Sequence, residues 1–89
     1  MSTTTTTLVT VRYFAAARAA AGRENEPVEL AAGSTIDDLL DALRARHEPE
    51  FARVLQRCSF LLDEVAVRDR TAVLPHAATV DVLPPFAGG

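Results

Sequence analysis

The chain has 89 residues, a hydrophobic content of 48% and a formal net charge of −3. This length suits one small domain with one modest core, and the acidic balance argues against a nucleic-acid partner, which would require a basic face. There is one cysteine and no apolar run near the roughly 20 residues of a membrane span, so we expect a cytoplasmic protein without disulfide, membrane segment or signal peptide.

Strands and helices alternate in the first third of the chain. Residues 1–7, rich in threonine, are expected to form a disordered leader. Strand-forming residues predict a first strand over Leu8–Phe14, and its two apolar faces indicate burial on both sides or a partner interface on one. An alanine-rich helix over Ala15–Ala21 is closed by Gly22 as a left-handed cap, and Pro27–Leu30 forms a short second strand.

The clearest helix spans Ser34–Arg46. Ser34 or Thr35 can cap its N-terminus, and an aspartate about three residues later completes a capping box. Its apolar residues share one face at helical spacing and are expected in the core, near Val11 and Val80. These residues are Ile36, Leu39, Leu40 and Leu43.

A shorter helical pattern, a hairpin and a last strand complete the chain. The helical pattern covers residues 51–58, and the hairpin joins Phe60–Leu62 to Val65–Val67 through Asp63-Glu64. This turn is unusual because tight hairpins require positive φ, which would cost Glu64 roughly 1–2 kcal/mol. With Thr79–Leu83 as the last strand, the order of elements predicts a single α+β domain.

The body of this domain offers little chemistry. Cys58 lies on the apolar side of a helical pattern and is predicted to be a buried, unreactive thiol. His47 suits a favourable charge at a helix C-terminus, and His76 a solvated loop position. The acidic residues near the start of the long helix fit its N-terminus better than a cation site. We therefore expect no bound metal or cofactor and no catalytic site in this chain by itself.

The C-terminal residues Pro84-Pro85-Phe86-Ala87-Gly88-Gly89 are the most informative segment. Two of the four glycines in the chain are its last two residues. They form a narrow strip of backbone without Cβ atoms, able to thread a channel too tight for side chains, and the prolines stiffen its approach. The ionised terminal carboxylate can attack the α-phosphate of ATP on another protein, and a sulfur nucleophile can then displace AMP to leave a thiocarboxylate.

The segment Leu83–Gly89 closely resembles the C-terminus of the molybdopterin synthase small subunit, a sulfur carrier of the ubiquitin-like MoaD/ThiS family. Val11–Arg18, Ser34–Leu40 and the hairpin position are also similar, so the resemblance extends from residue 8 to residue 89. It implies a β-grasp fold over residues 8–83, a mixed sheet packed against a main helix, and a functional tail over residues 84–89. It also implies that Gly89 becomes the adenylate and then the thiocarboxylate.

The resemblance implies three partners: the synthase large subunit, an adenylating activating enzyme that uses ATP, and a sulfur donor protein. An exposed apolar region around Phe14 and Leu83, with Arg18 at its edge, is predicted to dock the large subunit. The chain departs from the family at Asp63-Glu64 and in the loop Pro75–Ala78, where the family has glycine-containing turns.

Other functions stay open on the sequence alone. One is a sulfur carrier for thiamine or cysteine synthesis, which shares the chemistry but has a different acceptor. Another is a protein modifier joined through Gly89 to lysines of other proteins, and a third is a non-covalent interaction module. The pair Pro84-Pro85 favours the molybdopterin branch without deciding the question.

Overall fold

The structure is a computed structural model that describes residues 5–85. Residues 1–4 of the expected leader and the tail residues Phe86, Ala87, Gly88 and Gly89 lie outside the described residues. The elements follow the predicted order. They are β1 (Thr6–Tyr13), α1 (Ala15–Ala21), β2 (Asn25–Ala31), α2 (Ile36–Arg46), α3 (Pro49–Leu55), β3 (Ser59–Leu62), β4 (Val65–Ala66) and β5 (Thr79–Leu83).

The strands form one mixed sheet in the order β2-β1-β5-β3-β4. The first and last strands, β1 and β5, are parallel and lie side by side near the centre, while the other neighbouring pairs are antiparallel. The buried sides of the helices share one core cluster with the sheet, so the helices cover one of its faces. This arrangement confirms the predicted α+β class and the β-grasp fold.

The core is built by alternation in the strands and by one stripe of the main helix. In β1, Val9, Val11 and Tyr13 are buried, whereas Leu8 on the opposite face and Phe14, just beyond the strand, are 44% and 39% exposed. The two-faced first strand is therefore half buried rather than buried on both sides. The four predicted core residues of α2 are fully buried, and Val80 of β5 joins them in the same cluster.

The predicted start of the first strand was wrong by two residues. Thr6 and Thr7, placed in the leader by the sequence analysis, pair with Ala31 and Leu30 of β2, and Thr7 is buried. Threonine is a good strand former, and β2 is longer at both ends than predicted, so it offers these residues a partner. The length of a strand depends on such a neighbour, which a local pattern does not reveal.

Both predicted helix caps are present. Thr35 is the N-cap of α2: the Asp38 backbone N–H donates to Thr35 Oγ1 at 3.2 Å, and the Thr35 N–H donates to Asp38 Oδ2 at 2.9 Å. Gly22 closes α1 with φ of 77° while its N–H donates to the Arg18 carbonyl. These reciprocal contacts satisfy donors and acceptors that a helix end leaves unpaired.

The hairpin turn has positive φ at two residues that are not glycine, the conformation that the sequence made unusual. Asp63 and Glu64 have φ of 46° and 71°, as a type I′ turn requires. Asp63 is anchored to β5, because its N–H donates to the Thr79 carbonyl at 2.8 Å and its Oδ1 accepts from the Thr79 N–H at 2.9 Å. In the loop before β5, Ala77 also has positive φ, and its N–H donates to the Leu8 carbonyl. Hydrogen bonds to neighbouring strands thus hold Asp63 and Ala77 in positive-φ conformations for which glycine is usually preferred.

Candidate functional site

The tail leaves the domain from the end of its central strand. β5 is hydrogen-bonded to β1 on one side and β3 on the other, and beyond its end the Phe14 N–H still donates to the Val82 carbonyl at 3.2 Å. Pro84 and Pro85 follow directly, and proline lacks the N–H that would continue the ladder. The start of the tail is therefore held by the central strand of the sheet, which is hydrogen-bonded on both sides.

The predicted reactive residues lie beyond this fixed point. Four residues follow Pro85, so the Gly89 carboxylate can reach at most about 14 Å from it. Phe86, Ala87, Gly88 and Gly89 lie outside the described residues, and their roles stay predictions.

An apolar groove of about 490 Å³ borders the point where the tail begins. It brings together Phe14 and Leu83, two of the three residues predicted for the partner interface. The third, Arg18, does not line the groove; its Nη1 lies 3.7 Å from Glu24 Oε1. The groove is lined by Phe14, Ala15, Ala16, Ser59, Leu83, Pro84 and Pro85.

The start of α1 shapes one wall of this groove. Phe14 is extended, and Ala15 has φ of 50°, a left-handed conformation that costs a non-glycine residue roughly 1–2 kcal/mol. This sharp bend turns the chain from strand into helix within one residue. Because Ala15 and Ala16 carry only methyl groups, they leave open the space that larger side chains would fill.

The sheet face opposite the helices, here called the open face, carries Leu8, Arg12, Phe14, Asp81 and Leu83. Arg12 binds Asp81 with two hydrogen bonds, Nε to Oδ1 at 2.6 Å and Nη2 to Oδ2 at 2.9 Å. These contacts raise the pKa of Arg12 and cover Asp81, whose side chain is only 6% exposed. The Arg12 guanidinium also lies 5.9 Å from the centroid of the Phe14 ring. Arg12 is thereby held beside the groove.

On the helix side, a buried carboxylate joins three elements. Glu26 of β2 accepts from the Tyr13 hydroxyl of β1 and from Arg46 at the end of α2, and its Oε2 lies 2.7 Å from His47 Nε2. Arg23 adds a contact at 3.2 Å. Burial alone would raise the pKa of Glu26, but the hydrogen bonds and the cationic neighbours outweigh it, so this pKa lies below its ordinary value.

Tyr13, Glu26, His47, Arg46 and Arg23, here called the Glu26 cluster, were missed in the sequence analysis. Burial and the hydrogen bond to Glu26 raise the pKa of Tyr13. His47 is the C-cap of α2, as predicted, but it also stacks near Phe51, with ring centroids 4.4 Å apart. The cluster fastens the end of α2 to the sheet, on the face away from the groove. Glu26 directly precedes the predicted second strand, Pro27–Leu30, so the sequence pattern alone did not place its carboxylate in the sheet.

The other candidates from the sequence have structural roles. Cys58 is buried, donates to the Val54 carbonyl, and has its thiol pKa raised by burial, which disfavours the reactive thiolate. His76 is exposed, yet its Nδ1 accepts from the Leu8 N–H at 3.2 Å, so it is more than a solvated side chain.

Residues 5–85 contain neither a metal-binding cluster nor a membrane-spanning helix. No group of three histidine, cysteine or acidic side chains in this part of the chain could hold a metal ion. None of its helices has the length and apolar character to cross a membrane.

Comparisons with known proteins place the chain in a family. The family model described as the ThiS family matches residues 11–89. A molybdopterin synthase sulfur carrier subunit from Chlamydomonas reinhardtii is 36% identical over 83 residues, which cover 91% of this chain and 98% of that protein.

Solved structures share the fold of this chain. A Pyrococcus furiosus protein assigned as molybdopterin converting factor subunit 1 has a TM-score of 0.81 at 27% identity, covering 90% of this chain and 99% of its own. The complex of subunits 1 and 2 of the molybdopterin-converting factor from Helicobacter pylori matches with a TM-score of 0.69 at 22% identity, covering 92% of this chain and 99% of the matched one, a likeness of fold. The chain belongs to the ThiS family and is a relative of the molybdopterin synthase sulfur carrier subunits.

Proposed function

We propose that this chain is the sulfur carrier subunit of a molybdopterin synthase. The supporting observation is the tail itself: a Pro-Pro-Phe-Ala-Gly-Gly segment starts at the end of the central strand, beside an apolar groove. A relative that is 36% identical, and 98% of which the match covers, carries the sulfur carrier name. In this proposal the folded domain holds the start of the tail in place, and the reaction takes place at the Gly89 carboxyl group at the end of the tail.

The proposed reaction has two steps at the Gly89 carboxyl group. A carboxylate oxygen attacks the α-phosphorus of ATP bound to an activating enzyme, and pyrophosphate leaves as the acyl-adenylate forms. A sulfur nucleophile supplied by a donor protein then attacks the acyl carbon, and AMP leaves. The nucleophile is a persulfide of the donor, so an acyl disulfide forms first. A second thiol of the donor then attacks the donor-side sulfur of this bond, a disulfide forms on the donor, and the Gly89 thiocarboxylate is released. ATP is bound by the activating enzyme, and this chain supplies the acyl group and its slim approach.

The thiocarboxylate would then deliver sulfur to a cyclic pyranopterin precursor on the synthase large subunit. We propose that Phe14 and Leu83 dock this subunit through the groove, with Arg18 farther along α1. Exposed apolar surface beside a reactive tail suits an interface better than free solvent. The Helicobacter pylori match is named as a complex of the two subunits, in keeping with a large-subunit partner.

Intact mass spectrometry tests the first half of this proposal. The chain is incubated with its activating enzyme, ATP and a sulfur donor, and the mass should rise by the difference between sulfur and oxygen. Omission of ATP is the control and should abolish the change. Lysine-linked conjugates with other proteins would instead assign the chain as a modifier, and no change with several activating enzymes would leave an interaction module.

The pathway is tested separately with the loaded carrier. Mixed with the large subunit and the pyranopterin precursor, it should yield the dithiolene product and return the mass of the chain to its starting value. Transfer only to the acceptor of thiamine or cysteine synthesis would refute the molybdopterin assignment while keeping the carrier chemistry.

A further inference from the structure

We infer that the surface that docks the large subunit extends from the apolar groove along the open face to the Asp63-Glu64 turn, and that the partner places a basic side chain against this turn. This inference rests on the proposed function, since it takes the partner to be the protein that receives the tail. It adds the charge of the partner surface and the residues that would recognise it.

The short reach of the tail brings the partner against the groove. Gly89 can extend at most about 14 Å from Pro85, so the site that receives it must lie close to the groove. A standard interface buries about 800 Å² on each partner, which corresponds to a patch of about 16 Å radius. From Leu83 to Thr79, beside the turn, β5 spans only about 13 Å. The turn therefore lies within a patch centred on the groove.

At that distance the surface holds a small polar depression. It has a volume of about 210 Å³ and is lined by Arg12, Asp63, Glu64 and Thr79. Arg12 is paired with Asp81 and also lies near Glu64, so three carboxylates, those of Asp63, Glu64 and Asp81, face one guanidinium and leave a net negative charge. Over residues 5–85, neither the Asp63 nor the Glu64 carboxylate lies within 4.0 Å of a cationic side chain. The depression thus suits the head group of one arginine or lysine.

The fold itself does not require these two charges. Asn-Gly is the preferred pair for a type I′ turn, and asparagine could still accept the hydrogen bond from the Thr79 N–H that Asp63 now accepts. Glu64 has φ of 71°, where glycine is relaxed, and its side chain makes no hydrogen bond within the described part of the chain. Removal of both charges should therefore leave the domain intact.

The double variant Asp63→Asn/Glu64→Gly separates binding from stability. Its melting temperature should be unchanged or a few degrees higher, because the turn becomes the preferred pair. Its affinity for the large subunit, measured by calorimetry at low ionic strength, should fall by about three- to tenfold. The dependence of its dissociation constant on salt should also weaken, which a purely structural role of the turn would not cause.

The control Glu48→Gln/Glu50→Gln removes two charges from the helix side and matches the change in net charge. Both glutamates are exposed, and Glu50 is paired only loosely, at 3.7 Å from Arg53. This control should bind like the wild type. Equal affinity and salt dependence for the turn variant and the wild type, or tighter binding by the turn variant, would overturn the inference while leaving sulfur transfer in place.

Two further outcomes concern the occupant of the surface. A wild-type chain that accepts sulfur but does not bind the large subunit would overturn the inference and the pathway together. A chain that dimerises alone, with the dimer lost in Phe14→Asp, would assign the groove to a second copy and also overturn it.

Discussion

Replacement of Glu26 tests whether the Glu26 cluster stabilises the fold. Glu26→Ala removes the acceptor of two largely buried donors, the Tyr13 hydroxyl and His47, and leaves Arg23 and Arg46 without their shared carboxylate. Each buried donor left unpaired costs about 1–3 kcal/mol, whereas the half-exposed arginines add about 0–1 kcal/mol each. We expect a loss of about 3–5 kcal/mol in the free energy of unfolding, a large share of the total for a domain of this size.

Denaturant unfolding followed by circular dichroism measures this loss. Glu26→Gln retains one acceptor oxygen and should lose less than Glu26→Ala, while Tyr13→Phe removes a single donor and serves as the matched control. A loss below about 1 kcal/mol in Glu26→Ala would refute the reasoning, because the cost of burying the carboxylate would then cancel its hydrogen bonds.

The same cluster predicts a pH dependence with a definite sign. The pKa of Glu26 in the folded state is below its ordinary value of 4.5, so its contribution is fully present above that value. This contribution is lost as the pH falls through the lower, folded pKa. The difference in stability between wild type and Glu26→Gln should therefore shrink on acidification. A difference that stays constant from neutral pH to strongly acidic pH would contradict an ionised Glu26.

Three further predictions concern the core, the groove and the tail. Leu40→Ala should cost about 2–5 kcal/mol in unfolding free energy, since Leu40 is 1% exposed, and a loss below half of one kcal/mol would contradict its core position. Leu83→Asp should weaken large-subunit binding in calorimetry with an unchanged circular dichroism spectrum, whereas Val73→Asp, at an exposed loop position beside Thr35, should bind normally; unfolding of Leu83→Asp would place Leu83 in the core instead. Deletion of Gly89 shifts the carboxylate by about 3.4 Å and should abolish thiocarboxylate formation by mass spectrometry at a constant melting temperature, as should Gly88→Val through its added Cβ. Near-normal sulfur loading of the deletion variant would exclude the tail as the site.

The parts of this fold that the sequence predicts well are the local ones. The apolar stripe of α2, its Thr35 cap and the Gly22 cap depend on residues within a few positions of each other. The features that were missed join distant residues. Arg12 and Asp81 are 69 positions apart, and they meet only because β1 and β5 pair in parallel. The spacing of apolar residues along the chain does not reveal which residues of β1 and β5 pair with each other.

In the candidate site, too, the sequence predicts the local part and not the part that depends on the fold. The tail is readable from sequence because its proposed chemistry depends on small residues at a chain end, not on contacts with the body. The groove depends on where strands and helix meet. Phe14 and Leu83 were predicted from a family resemblance and from the two-faced first strand, and the structure places both in the groove while Arg18 lies outside it. In the sequence, Asp63-Glu64 stood out only as an unusual turn. That it lies on the same sheet face as the groove could be seen only once the order of the strands was known.

The register of β5 determines the side from which the tail can be presented. Along this strand, Val80 and Val82 point into the core, so Asp81 and Leu83 point to the open face. A slip of one residue would expose both valines and place Asp81 in the core. Because burial of each valine contributes about 1.5–3 kcal/mol, such a slip would lose about 3–6 kcal/mol of valine burial, which the burial of Leu83 offsets only in part, and would add the cost of burying the Asp81 charge. The same two valines that complete the core therefore hold Leu83 at the groove and fix the point from which Pro84 begins the tail.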